Sequence, residues 1–187
     1  MTSLDDLWFL ADEARQQAER AFHRLDREYD DYLSWDRERR VSRDRFRTLA
    51  ERVSESGAPF GAHTIVYRPN GDLLLVRHDY VDKWVLPGGG IDGEESFLEA
   101  ARRELTEEAG VEVSYDGLAI ANRIRITCDD HRTWGVLPVF AAEAETFDPT
   151  VTDPDGEITD ARWFSTLPED TRDRSDLVAW REWRGLD

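Results

Sequence analysis

The spacing of hydrophobic residues changes at the segment SESGAPFGA, positions 54–62 of the 187-residue chain. Before this segment, apolar residues recur every three or four positions as far as Leu33, which is typical of amphipathic helices. A shorter run with the same spacing, Phe46, Leu49 and Val53, follows an arginine-rich stretch, DRERRVSRDRFR. Its six arginines could contact phosphates, but the interleaved acids favour a self-paired solvent face. Because glycine and proline then break any helix, residues 1–55 are predicted to form an N-terminal helical hairpin.

The remainder of the chain alternates in the manner of β-strands around one central helix. The turn RPNGD joins two alternating runs and is a strong hairpin signal, since Asn-Gly tolerates positive φ. Strands are predicted at 63–67, 72–77, 83–86, 112–127 with an interruption, 134–142 and 161–164, and helices at 97–109 and 175–183. This order predicts an α+β fold with a mixed sheet. We expect two domains, residues 1–55 and residues 56–187.

The composition restricts the partners and the setting of the protein. The formal net charge is −17, and Lys83 is the only lysine among 24 basic residues. An acidic, lysine-poor surface resembles that of halophilic archaeal proteins, and it disfavours non-specific binding to nucleic acid or membrane, because both are anionic. No apolar run approaches the length of a membrane span. A single cysteine, Cys128, excludes an intramolecular disulfide, so we expect a cytoplasmic protein.

The predicted central helix carries an unusual group of acids. Ser96 and Glu99 form a capping-box pattern at its start, and Gly110 stands where a terminating glycine belongs. At 100° per residue, three glutamates lie on one edge beside the apolar stripe: Glu104, Glu107 and Glu108. Acids in a last helical turn oppose the helix dipole and repel one another. The pattern therefore fits either a solvated acidic face or a site for a hard cation such as Mg²⁺.

The residues around this helix resemble the Nudix box. Gly89, five residues, Glu95, seven residues and then RELTEEAGV match it at nine restricted positions within 23 residues. The upstream LLLVRHDYVDKWVLPGG is similar to the strand–loop–strand that leads into the box, and the resemblance extends from about Ala62 to Pro168. It implies an α/β/α sandwich of the Nudix hydrolase family. The implied activity is hydrolysis of a pyrophosphate bond in a nucleoside diphosphate linked to another moiety, such as ADP-ribose, or in a nucleoside triphosphate.

The resemblance also implies roles for residues of the box. The implied ligands of Mg²⁺ or Mn²⁺ are Glu104, Glu107 and Glu108, with Glu95 in support and the Gly88 backbone carbonyl as a further ligand. Arg103 is implied to orient the box glutamates, a role that belongs to the surroundings of the metal. For the general base we favour Glu104, and Glu157 is the alternative.

Outside the box the predictions rest on fewer signals. Glu143, which follows the strand VLPVFAA, is a candidate metal ligand. Arg77, Lys83 and Trp84 are candidate substrate-binding residues, since they offer positive charge and an aromatic ring for a small-molecule nucleotide. A non-catalytic nucleotide sensor is the alternative function. An isopentenyl diphosphate isomerase is disfavoured, because its catalytic cysteine precedes the box whereas Cys128 follows it. The N-terminal helices are expected either to form a homodimer or to cover the active site.

The charge of the chain makes its stability dependent on salt. Molar salt shortens the Debye length to about 3 Å, which weakens repulsion among surface acids. We therefore predict that the free energy of unfolding rises as KCl increases from dilute buffer to molar concentration. Thermal unfolding followed by circular dichroism across a KCl series measures this dependence. Equal stability in dilute buffer would contradict the halophilic interpretation.

Overall fold

The computed structural model describes residues 3–186, which form four α-helices and eight β-strands. The helices are α1 (Ser3–Glu28), α2 (Arg43–Ser56), α3 (Phe97–Glu108) and α4 (Arg174–Arg184). The strands are β1 (Asp36–Arg40), β2 (Ala62–Tyr67), β3 (Leu73–His78), β4 (Lys83–Val85), β5 (Gly88–Gly89), β6 (Val113–Cys128), β7 (His131–Ala144) and β8 (Ile158–Phe164). The chain divides into two compact units. The first holds the chain up to Gly61 together with Ile120–Pro138, and the second holds Ala62–Ala119 and the chain from Val139 onward.

The first unit contains both N-terminal helices, as predicted. Their apolar faces pack with β6 in one core. This core includes Leu7, Phe46, Leu49 and Ile124. Helix α2 is capped at its start by Ser42, whose side chain accepts a hydrogen bond from the Arg45 backbone, and at its end by Gly57, whose φ is 90°. A positive φ suits glycine because glycine has no Cβ.

One local prediction in this unit was wrong, and one element was not predicted. Helix α1 ends at Glu28 instead of reaching Leu33, because Leu33 forms a parallel bridge with Ile120. The arginine-rich stretch is largely exposed, as a solvent face would be, but Asp36–Arg40 also forms β1 and pairs in parallel with Arg123–Thr127 of β6. Charged residues occupy every position of β1, so its sequence has no apolar alternation that would indicate a strand.

The second unit contains a mixed sheet, as predicted. Its strands follow the order β6-β7-β2-β3-β4; β5 pairs with β2, and β8 pairs with β3. Strand β2 is parallel to β7 and antiparallel to β3 and β5, and β8 is antiparallel to β3. The predicted turn between β2 and β3 is present, with the Arg68 backbone donating to the Asp72 carbonyl over 2.9 Å. The expected interruption of β6 is absent, and β5 was not predicted, since two glycines carry no strand signal.

Helices α3 and α4 cover opposite faces of this sheet. Val66 of β2 packs in one core with Leu105 of α3. Its neighbour Tyr67 contacts Trp180 of α4, with ring centroids 5.6 Å apart, and Trp180 is only 1% exposed. Successive residues of a strand point to opposite faces, so the two helices enclose the sheet from both sides. The α/β/α sandwich implied by the resemblance is therefore confirmed. Within residues 3–186, no helix is both long and apolar enough to cross a membrane.

Candidate functional site

The local sequence of α3 fixes which side chains face the site. Ser96 accepts a hydrogen bond from the Glu99 backbone over 3.2 Å, and the Glu99 carboxylate accepts one from the Ser96 backbone over 2.7 Å, so the predicted capping box is confirmed. Ala101, Leu105 and Ala109 are buried on the sheet-facing side of the helix. With the helix anchored in this way, the three glutamates of its last two turns lie beside the buried stripe.

The Arg103 guanidinium lies at the centre of the acidic residues. It binds the Glu95 carboxylate through Nε and Nη2 at 2.8 and 3.0 Å, and the Glu104 carboxylate through Nη1 at 2.8 Å. Asp92 and Glu107 approach it at 3.5 and 3.6 Å. The hydrogen bonds from Arg103 lower the pKa of Glu95, and the carboxylates, Glu95 foremost, raise the pKa of Arg103. Arg103 therefore holds Glu104 and Glu95 together by direct hydrogen bonds.

Glu104 is held against a backbone that has no room for a side chain. A Cβ on Gly89 would lie 2.7 Å from the Glu104 carboxylate carbon, closer than any ordinary van der Waals contact. Glycine at this position therefore permits the close approach of the carboxylate to the backbone. Burial raises the pKa of Glu104, although the ion pair with Arg103 opposes this effect.

Glu108 is the most deeply buried acid of the group, with 7% of its surface exposed. The Gly88 backbone donates a hydrogen bond to its carboxylate over 2.8 Å. Burial, helped by the negative charges of Glu104, Asp153 and Glu157, raises the pKa of Glu108 to about 8. A carboxyl group in such surroundings favours either a proton or a bound cation.

A loop before β8 brings two further acids, Asp153 and Glu157, towards α3. The Thr152 backbone donates to the Glu107 carbonyl over 2.9 Å, which docks the loop on the end of α3. Asp153 accepts hydrogen bonds from the backbones of Glu157 and Ile158 over 2.6 and 2.9 Å. Sequence reasoning missed Asp153 and Asp92. For Asp153 the available signal was the turn sequence DPDG, which indicates an acid with a structural role but not its neighbours.

Glu157, in the loop before β8, and Glu143, in β7, lie in different places. The Glu157 carboxylate lies 3.3 Å from Nε2 of His78, and its charge acts on Glu108. Glu143 pairs in register with Tyr67, whereas Gly88 pairs with His63 at the other end of β2. Four residues of strand correspond to about 13 Å. The structure therefore brings Glu157 towards the box and does not bring Glu143 there, so a ligand role for Glu143 stays a prediction without a supporting contact.

The candidate substrate-binding residues lie together on β3 and β4. Arg77 pairs in register with Trp84, and its guanidinium lies 5.8 Å from the Trp84 ring centroid. Arg77 also forms ion pairs with Asp82 and Asp170, so its charge is already balanced by protein carboxylates. Lys83 is exposed. The Trp84 ring packs edge-on against Phe164 at 4.8 Å, which favours a structural contribution from this tryptophan.

The donor set fits a hard divalent cation. Residues 3–186 contain no group of three His, Cys, Asp or Glu side chains already arranged around one point. The reason is visible in the contacts, since Glu95 and Glu104 turn towards Arg103 and Glu108 accepts from Gly88. However, the single positive charge of Arg103 faces several carboxylates, and carboxylate oxygen is the ligand type that Mg²⁺ and Mn²⁺ prefer. Glu104, Glu107 and Glu108 are the residues that would hold such an ion.

Known proteins with similar sequences share this part of the chain. A candidate 8-oxo-dGTP diphosphatase of Bacillus subtilis (strain 168) is 36% identical over 86 residues, which are 46% of this chain and 58% of that protein. Diphosphoinositol polyphosphate phosphohydrolase 2 of Rattus norvegicus is 51% identical over 39 residues, 21% of this chain and 22% of that protein. The matched region thus spans less than two thirds of these relatives.

A solved structure and a family profile complete the comparison. A MutT NUDIX hydrolase from Burkholderia pseudomallei is 26% identical, with a TM-score of 0.48 over 63% of this chain and 94% of that one. The profile of the NUDIX domain matches residues 58–180, which is more than half of the chain and includes every residue of the carboxylate site. The chain therefore belongs to the Nudix family.

Proposed function

We propose that the protein is a divalent-metal-dependent hydrolase of a pyrophosphate bond in a nucleoside diphosphate linked to another moiety. The observation that carries this proposal is the carboxylate cluster around Arg103, in which the buried Glu108 has a pKa of about 8. Burying acids costs free energy unless a proton, a partner or a metal compensates. A site that keeps several of them together beside the glycine backbone of β5 is suited to hold a metal against phosphate oxygens.

Different residues of the site would bind the metal, position the carboxylates and shape the backbone around them. When bound, Mg²⁺ or Mn²⁺ would polarise phosphate oxygens and lower the pKa of an attacking water molecule. Glu104, Glu107 and Glu108 would hold the ion. Arg103 acts as a positioning residue, because its hydrogen bonds hold Glu104 and Glu95 in one geometry. Gly89 allows the β5 backbone to lie directly against the Glu104 carboxylate, and the Gly88 N–H donates to the Glu108 carboxylate.

Two residues are candidates for the general base. Glu104 has a pKa raised by burial, which brings a carboxylate closer to the range where a base is effective. Glu157 has geometric support as well, because His78 holds it at 3.3 Å and its charge reaches Glu108. We propose Glu104 as the base and keep Glu157 as the alternative.

The substrate is the least constrained part of the proposal. The relatives named above carry the names of a nucleotide diphosphatase and of a diphosphoinositol polyphosphate phosphohydrolase, so similarity alone selects no substrate. ADP-ribose and nucleoside triphosphates, including 8-oxo-dGTP, are our first candidates. A cytoplasmic location and a homodimer formed through the N-terminal helices stay predictions from the sequence, which fractionation and light scattering would test.

Turnover is expected to require both the metal and the box glutamates. We predict that Glu107→Gln lowers kcat/KM by about 100-fold or more, because it removes a ligand charge, and that chelator abolishes turnover. The assay compares ADP-ribose, nucleoside triphosphates, dinucleoside polyphosphates and NADH in high KCl with Mg²⁺ or Mn²⁺. Glu94→Gln, at an exposed box position, is the matched control. Binding of these nucleotides without any turnover would instead support the sensor alternative.

The two candidate bases are distinguished by paired amide substitutions. We predict that Glu104→Gln lowers kcat by about 10²- to 10⁴-fold and removes the acidic limb of the pH–rate profile. Glu157→Gln is expected to lower kcat less than about tenfold and to keep that limb. Steady-state rates across the pH range, at saturating metal, measure both effects. The reverse pattern would assign the base to Glu157.

Metal affinity is expected to depend on pH through Glu108. Its raised pKa means that the metal-free carboxyl group is protonated at neutral pH, and a cation must displace that proton. Apparent Mn²⁺ affinity should therefore increase up to about tenfold per pH unit until pH about 8, and then level off. Calorimetry in buffers of different ionisation enthalpy counts the released proton. Glu108→Gln should release fewer protons than Glu94→Gln, and equal release in both variants would refute this assignment.

A further inference from the structure

The first unit contains a cavity that shares no residue with the carboxylate site. Its volume is about 490 Å³, and its walls come from α1, β1, β6, β7 and the turn that joins β6 to β7. Small-molecule sites in proteins typically have volumes of about 300–1,000 Å³. The cavity is therefore large enough for a ligand of nucleotide size, and the question is which chemistry its walls would recognise.

Arginine is concentrated in these walls. Four arginines and three aspartates line the cavity, although the whole chain carries a net charge of −17. Two of the arginines are neutralised within the lining, since Arg15 pairs with Asp12 and Arg125 lies 2.9 Å from Asp36. The other two, Arg123 and Arg132, form no ion pair with any carboxylate in residues 3–186. The third aspartate, Asp130, forms no ion pair with these two arginines in the described chain, so four arginines and three aspartates leave the lining with a net charge of +1.

Arg123 is fixed in position by aromatic rings instead of by acids. Its guanidinium carbon lies 4.3 Å from the ring centroid of Phe22 and 5.4 Å from that of Trp134. Stacking of this kind leaves the N–H edge of the guanidinium available to an acceptor in the plane of the group. A planar, pre-positioned guanidinium binds phosphate or carboxylate oxygens in a bidentate manner.

A buried imidazole on the same wall lacks a hydrogen-bond partner within residues 3–186. His131 lines the cavity, is only 5% exposed, and neither of its ring nitrogens has a hydrogen-bond partner in the described chain. An imidazole always carries at least one N–H, and leaving a buried donor without an acceptor costs about 1–3 kcal/mol.

Two tryptophans supply flat apolar surface to the cavity. Trp134 lines it, and so does Trp8, which is 66% exposed on α1. An exposed tryptophan at the rim of a cavity is available to stack on a planar ring, and base–aromatic stacking contributes about 1–3 kcal/mol per base. The walls thus combine recognition of an anion with recognition of a flat ring.

We propose that this cavity is a binding site for a nucleoside monophosphate, with the phosphate at Arg123 and Arg132 and the base against Trp8 or Trp134. Arg123 and Arg132 offer planar guanidinium groups to the phosphate oxygens, and the aromatic surface selects for an attached ring over inorganic phosphate. This site goes beyond the proposed hydrolase function and does not depend on it, because it uses none of the residues that would hold the metal.

Binding of AMP to the full-length protein in the presence of chelator tests the proposal. AMP contains no pyrophosphate bond, and chelator removes metal from the carboxylate site, so neither turnover nor the proposed active site contributes to the signal. Calorimetry should show saturable binding of AMP, and at least tenfold weaker binding of adenosine and of inorganic phosphate. Arg123→Gln and Arg132→Gln should each weaken AMP binding at least tenfold.

Two control variants make the outcome decisive. Arg24→Gln removes an exposed arginine of α1 that does not line the cavity, and Glu107→Gln alters only the carboxylate site; both should bind AMP like the unmodified protein. Thermal unfolding checks that Arg123→Gln is folded, and Arg132→Gln, which disturbs no stacking contact, provides the second test. Absence of AMP binding, equal binding of inorganic phosphate, or loss of binding in Glu107→Gln but not in the arginine variants would overturn the proposal.

Discussion

The ion pairs of Arg103 are the interaction on which the carboxylate site depends. Without a cation between them, Glu95 and Glu104 could not share the same space, since unit charges 4 Å apart interact by about 4 kcal/mol at an effective dielectric of 20. Arg103 joins them with three hydrogen bonds of 2.8–3.0 Å and also bonds the Gly90 carbonyl at 2.9 Å. One guanidinium therefore ties α3 to the loop that precedes it. The acidic residues remain together because Arg103 neutralises part of their negative charge. A bound divalent cation would neutralise the rest.

Burial of Glu108 lowers the stability of the fold at a position that is suited to bind a ligand. The carboxyl group is buried, its pKa is raised to about 8, and its principal partner is a single backbone N–H from Gly88. A folded-state pKa above the unfolded value means that stability is lost as pH rises from the unfolded pKa towards about 8. A protein that kept this residue for structure alone would gain by replacing it with an apolar one. Its placement next to the glycine backbone and three other acids is explained by a ligand that restores the lost free energy when it binds.

The sequence predicted the features that depend on neighbouring residues, such as helix caps and turns. It did not predict the features that depend on pairing between distant segments of the chain. The capping box, the buried stripe of α3 and the Asn-Gly hairpin each depend on residues a few positions apart, and the structure contains all of them. Strand β1 forms only because β6 supplies a partner almost ninety residues later, and its fully charged sequence does not reveal this. Asp153 was missed for the same reason, because its nearness to Glu108 arises from the docking of a loop on α3. Glu143 was favoured by its position after a strand, but strand register places it opposite Tyr67.

The acidic surface and the binding of anions are compatible because the chain concentrates positive charge locally. In the carboxylate site a divalent cation would reverse the local sign, since an ion bound there dominates the field around it. In the first unit, we propose that Arg123 and Arg132 supply the local positive charge for an anion without a metal. Molar salt would screen a simple Coulomb attraction within a few ångströms, so charge alone would be a weak means of recognition there. Planar guanidinium groups retain directional hydrogen bonds and stacking under such conditions, and this difference is the physical basis for our proposal that a lysine-poor protein recognises phosphate.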